Sequence, residues 1–124
     1  MTRDLVITSV PLEITVDHGE EGFLVSLHGR LNIDSSPALR DQLLALLRGQ
    51  AREAVTVDLS DISYIDTSGI ATLLEGLKIA RNRLTRFCLR GLQGRVAHLF
   101  EVTGVSALFE TNGCRSLSAG SKVS

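Results

Sequence analysis

Hydrophobic and polar residues alternate in several short segments of the chain, which is the pattern of β-strands with one buried face. Residues 12–17 read Leu-Glu-Ile-Thr-Val-Asp, and a second alternating segment covers residues 23–28 after a short turn that contains Gly19. Two such segments joined by a short turn predict a β-hairpin. Further strands are predicted by Val55, Val57 and Leu59, by Phe87, Leu89 and Leu92, and by Ala107, Leu108 and Phe109.

Between these strands the hydrophobic residues recur every three or four positions, as in amphipathic helices. The stripes are Leu39, Leu43, Leu46 and Leu47, then Ile70, Leu73, Leu74 and Leu77, then Val96, Leu99 and Phe100. Ser36 is predicted to cap the first helix, with Pro37 at its first position. The second helix is predicted to begin near Ser68, and Gly104 to end the third.

The order of these segments predicts an α/β fold, β-β-α-β-α-β-α-β, with a mixed sheet of four to five strands. Because most strands alternate, the helices are expected to pack mainly on one face, leaving the other wet or covered by a partner. A length of 124 residues fits a single domain spanning 1–124. Its core is predicted at about 12–110, and the polar tail 111–124 is expected to be frayed or partly helical.

Charge and composition exclude several classes of protein. The chain has 13 basic and 14 acidic residues and a net charge of −1, so direct nucleic-acid binding, which needs a concentrated basic surface, is not predicted. The one basic cluster, Arg81, Arg83 and Arg86, lies near a predicted helix end, where cations complement the helix dipole. Aromatic residues are scarce and include no Trp, which disfavours stacking platforms for bases or sugars.

The usual signatures of catalytic and cofactor sites are missing from the sequence. The histidines, at positions 18, 28 and 98, have no metal-ligand spacing. There is neither a GxxxxGK[ST] loop nor a GxGxxG loop nor a GxSxG elbow. The run Asp66-Thr67-Ser68-Gly69 differs from the Asp-Thr-Gly of aspartic proteases by an inserted serine and occurs once. The chain is therefore predicted to be no enzyme and to carry no metal and no cofactor.

The predicted location is the cytoplasm. Cys88 and Cys114 are far apart and form no CxxC pair, so no disulfide framework is indicated. The N-terminus lacks the apolar region of a signal peptide, and no apolar run approaches the length of a membrane span. No membrane insertion is expected.

The segment Asp66-Thr67-Ser68-Gly69-Ile70 lies where a predicted polar turn meets a predicted helix. Asp66 or Thr67 can cap backbone donors, and capping alone is the ordinary explanation of such residues. Ser68 falls in the first turn, where unsatisfied N–H groups and the helix dipole favour an anion. Gly69 is expected to leave the Ser68 hydroxyl open, and a phosphate there would be compatible with the fold. A phosphate would also change the local charge by about −1.5 to −2.

Several motifs in order make the stretch from Leu12 to Glu110 similar to the STAS family, the sulfate-transporter and anti-sigma-factor-antagonist domain. Leu27-His28-Gly29-Arg30-Leu31-Asn32 resembles the family's L-x-G-x-L-[D/N]. Val57-Asp58-Leu59-Ser60 followed by Tyr64-Ile65-Asp66-Thr67-Ser68-Gly69-Ile70 resembles its D-[S/T]-S-G signature. Val96 to Gly104, with Val105 and Leu108-Phe109, resembles its V…LF…TGL…F close.

The resemblance implies a STAS fold and the function of an anti-sigma factor antagonist. In that family the second hydroxyl residue of the core motif accepts a phosphate, which here is Ser68. The unphosphorylated protein is expected to bind an anti-sigma factor that is also a serine kinase, and phosphorylation of Ser68 by this kinase is expected to release it.

The predicted partner-binding surface comprises Asn32, Asp34, Asp66, Thr67, Ser68 and Gly69. Many antagonists have Asp where this chain has Asn32, so the loss of that carboxylate is expected to alter the choice of partner. The protein is expected to be a monomer or a weak homodimer. Two alternative functions stay open at this point: a STAS accessory subunit of an ABC-type lipid-transport complex, and a stressosome-like scaffold component.

Overall fold

The computed structural model describes residues 12–49 and 53–110. Within them the chain forms a mixed α/β structure of strands and helices in the order β-β-α-β-α-β-α-α. The elements are β1 (Leu12–Gly19), β2 (Gly22–Leu31), α1 (Ser36–Leu47), β3 (Ala54–Ile65), α2 (Thr67–Asn82), β4 (Phe87–Arg90), α3 (Gly94–Val102) and α4 (Val105–Glu110).

The strands form one sheet in the order β1-β2-β3-β4. β1 and β2 are the predicted antiparallel hairpin, whereas β2–β3 and β3–β4 are parallel pairs, so the sheet is mixed as predicted. One row crosses all four strands, in which Val16 lies opposite Val25, Val25 beside Val57, and Val57 beside Leu89. This row belongs to the apolar face that the alternation predicts.

The helices cover that apolar face. α1 and α2 pack on each other. Their predicted hydrophobic stripes are buried except for Leu46 and Leu74, which are half-buried. The buried residues form one continuous cluster that includes the sheet and all four helices. The other face of the sheet carries mostly polar side chains, such as Thr15 and Asp58, which confirms the one-sided arrangement that the alternation predicts.

Strand β3 is longer than the sequence indicates. The segment from Ser60 to Ile65, predicted as a polar turn, continues β3 and pairs with β2. Two irregularities in the register, between Ser26 and His28 and between Gly29 and Arg30, absorb additional residues of β3. The spacing of buried residues consequently changes from every second residue to every third, at Ile62 and Ile65. This broken alternation hides the second half of the strand in the sequence.

The predicted last strand at residues 107–109 is wrong, because this segment belongs to helix α4. Val105 and Phe109 are buried while Ala107 and Leu108 are exposed, which is the four-residue spacing of one helical turn. The rings of Phe87 and Phe109 lie 6.0 Å apart, and those of Phe100 and Phe109 lie 6.4 Å apart. A helix, rather than a fifth strand, therefore completes the core. The predicted behaviour of the tail 111–124 lies outside the described residues.

The start of α1 differs from the prediction by one residue. The N-cap is Ser35, with Pro37 in the first turn, and the Ser35 side chain makes no capping bond. The Ser35 hydroxyl donates instead to the carbonyl of Arg30 (2.8 Å), and the Ser36 hydroxyl donates to the carbonyl of Asn32 (2.6 Å). Both serines therefore fasten the helix to the end of β2.

The sequence indicated no disulfide, and this prediction is wrong for Cys88. Cys88 lies half-buried in β4 and is disulfide-bonded. The predicted cytoplasmic location rested partly on the expected absence of disulfides, and it remains a prediction. Across the helices of the described ranges, none is both long enough and apolar enough to cross a membrane.

Candidate functional site

The predicted site residues meet where β2 and β3 end and α1 and α2 begin. Leu31 and Ile65 are neighbours in the parallel register, so the residues that follow them leave the sheet side by side. The Asp66 amide donates to the Leu31 carbonyl (3.2 Å) and joins the two exits. The structure thus brings the loop after β2, which carries Asn32 and Asp34, next to the start of α2.

Asp66 is the N-cap of α2, one of the two capping residues, Asp66 or Thr67, that the sequence indicated. Its backbone is extended, and its Oδ1 accepts hydrogen bonds from the amides of Ser68 (2.9 Å) and Gly69 (3.2 Å). These are the free donors of the helix start, which a capping carboxylate satisfies. Two of the amides that could receive an external anion are therefore already occupied by Asp66.

Ser68 is the second residue of α2 and is half-buried. Within the described ranges its hydroxyl makes no hydrogen bond, although its amide bonds to Asp66. Several other serine hydroxyls differ in this respect, because each donates to a protein acceptor: those of Ser35, Ser36, Ser60 and Ser63. The Ser68 hydroxyl therefore has no hydrogen-bonding role among the described residues, whereas those four hydroxyls do.

Gly69 has a packing role that the sequence did not show. It is buried, and a Cβ atom at this position would lie 2.7 Å from Cγ of Leu31 and 2.8 Å from Cγ1 of Ile65. The glycine therefore lets the first turn of α2 sit directly on the ends of β2 and β3. It fixes the height of Ser68 above the sheet, and being buried it offers almost no contact area of its own.

The loop after β2 is organised by Asn32. Its Oδ1 accepts hydrogen bonds from the amides of Asp34 (2.9 Å) and Ser35 (3.1 Å), which is the pattern of an Asx turn. The side chain of Asn32 is half-buried and turned to its own loop, whereas Asp34 is exposed. Asp34 is the predicted contact residue of this loop that the geometry leaves free for a partner.

Ile33 is a surface feature that the sequence reading missed. It lies between Asn32 and Asp34 with 70% of its surface exposed. The signal in the sequence was an apolar residue inside a polar turn. Such a residue has no helix or strand to pack against, so it is expected to be exposed.

A groove at the end of β3 was also missed. It lies between the end of β3 and α3, has a volume of about 360 Å³, and is lined by Ser63, Tyr64, Ile65, Arg95, Val96, His98 and Leu99. Tyr64 is partly exposed, and the guanidinium carbon of Arg30 lies 4.9 Å from its ring centre. The groove could not be read from the sequence because it depends on β3 reaching Ile65.

Residues 12–49 and 53–110 contain no group of His, Cys, Asp or Glu side chains that could hold a metal ion. His28 is exposed and lies 4.0 Å from a carboxylate oxygen of Asp61. His98 is exposed and lines the groove.

Comparison with protein families identifies the class. Residues 14–110 match the family described as "Mlab, STAS domain", so the chain belongs to the STAS domain family. The anti-sigma-B factor antagonist of Bacillus subtilis is 25% identical over 99 residues, which cover 80% of this chain and 89% of that protein. The anti-sigma-B factor antagonist of Listeria monocytogenes is 30% identical over 84 residues, which cover 66% of this chain and 71% of that protein.

Solved structures share the fold. An anti-sigma factor antagonist from Mycobacterium paratuberculosis superposes with a TM-score of 0.69 at 20% identity, covering 82% of this chain and 87% of that one. The antagonist SpoIIAA in its unphosphorylated form gives a TM-score of 0.61 at 15% identity, covering 82% of this chain and all of that one. The murine anion transporter Slc26a9 gives 0.59 at 19% identity, covering 68% of this chain and 14% of that one.

Proposed function

We propose that this protein is an anti-sigma factor antagonist that works by partner switching. In its unphosphorylated form it binds an anti-sigma factor that is also a serine kinase, and so frees the sigma factor. The kinase phosphorylates Ser68, and the complex dissociates. The protein acts by binding and contributes no catalytic group of its own, and its place of action is the cytoplasm.

The observation that carries the proposal is the state of the Ser68 hydroxyl. It stands in the first turn of α2 without a hydrogen-bond partner in the described part of the chain, while the amide of the same residue is held by Asp66. A phospho-acceptor needs a hydroxyl that a kinase can reach without breaking the fold. Ser68 meets that need. Its hydroxyl bonds to no other described group, so adding a phosphate to it would leave no buried donor or acceptor unsatisfied.

The relatives support the same function. The proteins from Bacillus subtilis and Listeria monocytogenes are both named anti-sigma-B factor antagonists. Among the structural neighbours, SpoIIAA has been solved in an unphosphorylated form and in a phosphorylated form. A protein of this fold can therefore carry a phosphate.

The electrostatics of the site explain how a phosphate would act. Asp66 already occupies the amides of Ser68 and Gly69, so a phosphate on Ser68 would find few free donors and would extend toward solvent. It would add about −1.5 to −2 charges beside the Asp66 and Asp34 carboxylates. A partner surface fitted to the neutral hydroxyl would then meet a strongly negative, strongly hydrated group, and binding would weaken by repulsion and desolvation.

The proposal is tested by incubating the protein with its cognate anti-sigma factor kinase and ATP, followed by mass spectrometry of the peptides. We expect one phosphate, on Ser68, and loss of the complex on a sizing column. Ser68→Ala removes the phosphate and keeps the complex, whereas the control Ser106→Ala, at a serine of α4 outside the predicted partner-binding surface, leaves phosphorylation unchanged. A kinase that binds the protein stably but leaves Ser68 unmodified would overturn the proposal.

A second candidate function is favoured by the description of the matched family, "Mlab, STAS domain". In this case the protein would be a STAS accessory subunit of an ABC-type lipid-transport complex, and the Ser68 region would be a contact surface without phosphorylation. Affinity purification from solubilised membranes distinguishes the two functions. Recovery of an ABC ATPase and a permease without any kinase would establish the second and exclude the first.

A further inference from the structure

The end of the molecule opposite Ser68 carries an exposed leucine among arginines. We call this surface the basic end and define it as Arg48, Arg83, Leu84 and Arg86. Arg48 follows α1 as its C-cap, Arg83 follows α2 as its C-cap, and Arg86 precedes β4. All four residues are exposed. The basic end thus combines three guanidinium groups with one apolar tip.

Backbone contacts hold the two turns of the basic end together. The Arg83 guanidinium points to the carbonyl of Gly49 at 3.4 Å, which places it beside Arg48. The carbonyl of Arg86 accepts the amide of Val55 at 2.9 Å and fixes the turn against β3. Arg83 and Arg86 belong to one turn, and Arg83 reaches the turn that carries Arg48, so the three arginines share one end of the molecule although Arg48 and Arg86 are 38 positions apart in the chain.

The helix ending places Leu84 at the tip of the turn. The Leu84 amide donates to the carbonyl of Arg81 (3.2 Å), and the Thr85 amide donates to the carbonyl of Ala80 (2.8 Å), which together form a Schellman motif. Leu84 occupies its left-handed position with φ of 56°, where glycine is the usual residue. Its side chain is 82% exposed. A leucine here adds nothing to the core and strains the backbone, so the fold itself gives no reason for it.

The charges of the basic end have few partners within the described ranges, where Arg48 joins Arg40, the main cause, in lowering the pKa of Glu75. Arg40 pairs with Glu75 and Arg90 pairs with Asp58, but Arg48, Arg83 and Arg86 form no ion pair within the described ranges. The dipoles of α1 and α2 account for cations at Arg48 and Arg83, since both close a helix. They account neither for Arg86 nor for the leucine between the arginines.

We propose that the basic end is a contact surface for a membrane that contains anionic lipids. Leu84 enters the interface between headgroups and acyl chains, and the three guanidinium groups bind lipid phosphates around it. A nucleic acid would offer the phosphates but no apolar layer for Leu84. The convex shape of the turn fits a deformable surface, and binding through one apolar residue is weak and reversible.

The orientation that follows leaves Ser68 accessible. α2 runs from Thr67 to Asn82, so its ends are about 24 Å apart at 1.5 Å per residue. A protein bound through Leu84 would present Ser68 away from the lipid surface. Membrane contact is therefore compatible with partner binding, and it does not depend on the function proposed above.

The test is co-sedimentation of the purified full-length protein with vesicles of phosphatidylglycerol and of phosphatidylcholine at low ionic strength. We expect the protein to bind vesicles of phosphatidylglycerol only. Salt at about 0.5 M should abolish this binding, because the Debye length then falls to roughly 4 Å and the charges are screened. Arg86→Gln lowers the partition coefficient about fivefold, the effect of one cation near an anionic surface. Leu84→Gly lowers it about tenfold while raising the thermal midpoint, which separates lost binding from lost structure.

Two matched variants at the other end of the molecule serve as controls. Ile33→Ala removes an exposed apolar side chain, and Arg95→Gln removes an exposed cation; neither should change vesicle binding. Unchanged binding of Leu84→Gly would overturn the proposal, because the attraction would then be general charge alone. So would absence of binding to phosphatidylglycerol, and binding to poly-L-glutamate in its place would assign the basic end to an acidic protein partner.

Discussion

At the scale of single residues, Asp66 and Ser68 divide two tasks at the start of α2. Asp66 satisfies the helix donors through the amides of Ser68 and Gly69. This leaves the Ser68 hydroxyl without a structural duty among the described residues. The local chemistry of the helix start therefore separates stability, which depends on Asp66, from switching, which we assign to Ser68.

Ser68→Asp is expected to fold normally and to bind the partner kinase at least about tenfold more weakly. A carboxylate in the first helical turn gains about 0.3–1 kcal/mol from the helix dipole, but Asp66 already holds the nearby donors, so the net change in unfolding free energy should be small. Chemical denaturation and a binding titration measure the two effects. An unfolded Ser68→Asp variant would mean that Ser68 is a core residue and no switch.

Gly69→Ala is expected to destabilise the protein by about 1–3 kcal/mol, the usual cost of overpacking a core. The new Cβ would lie 2.7 Å from Leu31 and 2.8 Å from Ile65, so α2 must move away from the sheet. The control is Gly19→Ala, because a Cβ at Gly19 has open space around it. Equal thermal midpoints of both variants would show that α2 does not rest on the strand ends as described.

At the scale of elements, Asp58 links β3, β4 and the loop that follows β4. Its carboxylate accepts hydrogen bonds from the amide (2.9 Å) and hydroxyl (2.7 Å) of Ser60 and from Arg90 (3.2 Å). Gly91 passes so close that a Cβ there would lie 2.7 Å from the carboxylate. The side chain of Gln93 donates to the Ser60 carbonyl and closes the same corner.

This corner makes stability depend on pH. Burial by itself raises the pKa of Asp58, but the hydrogen bonds from Ser60 and Arg90 outweigh it, so the pKa lies below its usual value. A lowered folded-state pKa contributes stability above the unfolded value of about 3.9, and this contribution is lost as the pH falls through the lower folded value.

Asp58→Asn should therefore lower the unfolding free energy at pH 7 by about 1–2 kcal/mol, as expected for hydrogen bonds to a charged group. The difference from the unmodified protein should shrink as the pH falls below about 4. Denaturant titrations at several pH values measure it, with Asp17→Asn, an exposed residue on the same face of the sheet, as the control. A difference that stays constant with pH would contradict the assigned role of the carboxylate.

The end of α2 is the second element with a testable geometry. Leu84→Gly should raise the unfolding free energy by about 0.5–1 kcal/mol, because glycine relieves the left-handed backbone that leucine strains. Leu84→Ala should give no such gain, since alanine keeps a Cβ. Equal stabilities of the glycine and leucine forms would argue against the Schellman ending at Leu84.

At the scale of the whole molecule, the topology gives the domain two ends, each of which carries one of the surfaces proposed above. Strands β2 and β3 end where α1 and α2 begin, and this end carries Ser68 and Asp34. The helices α1 and α2 end on the opposite side, which carries the basic end. A partner bound at one end therefore leaves the other end available.

The separation of the two ends predicts that they can be altered independently. The double variant Arg83→Glu and Arg86→Glu should be phosphorylated at the same rate as the unmodified protein by the same kinase, within about twofold, because distant sites without shared contacts act additively. Quantitative mass spectrometry of the Ser68 peptide over time measures the rate. A large fall in the rate would show that the kinase also contacts the basic end.

The sequence by itself determined what depends on local periodicity and local chemistry. Alternation located the strands of the hairpin and the first half of β3, and the leucine stripes located α1 and α2, because side chains repeat every two residues in a strand and about every 3.6 in a helix. Asp66 was recognisable as a cap for the same local reason. Ser68 as phospho-acceptor came from resemblance to a family, since a free hydroxyl is not visible in a sequence.

The tertiary structure decided what depends on contacts between distant segments. Pairing with β2 turned the polar stretch after Leu59 into strand, and packing on Phe87 made residues 107–109 a helix. The parallel register of Leu31 and Ile65 joined two loops into one surface, and it explains why position 69 must be glycine. Such contacts compensate for unfavourable local patterns through burial and hydrogen bonding, and neither is encoded within a single segment of the chain.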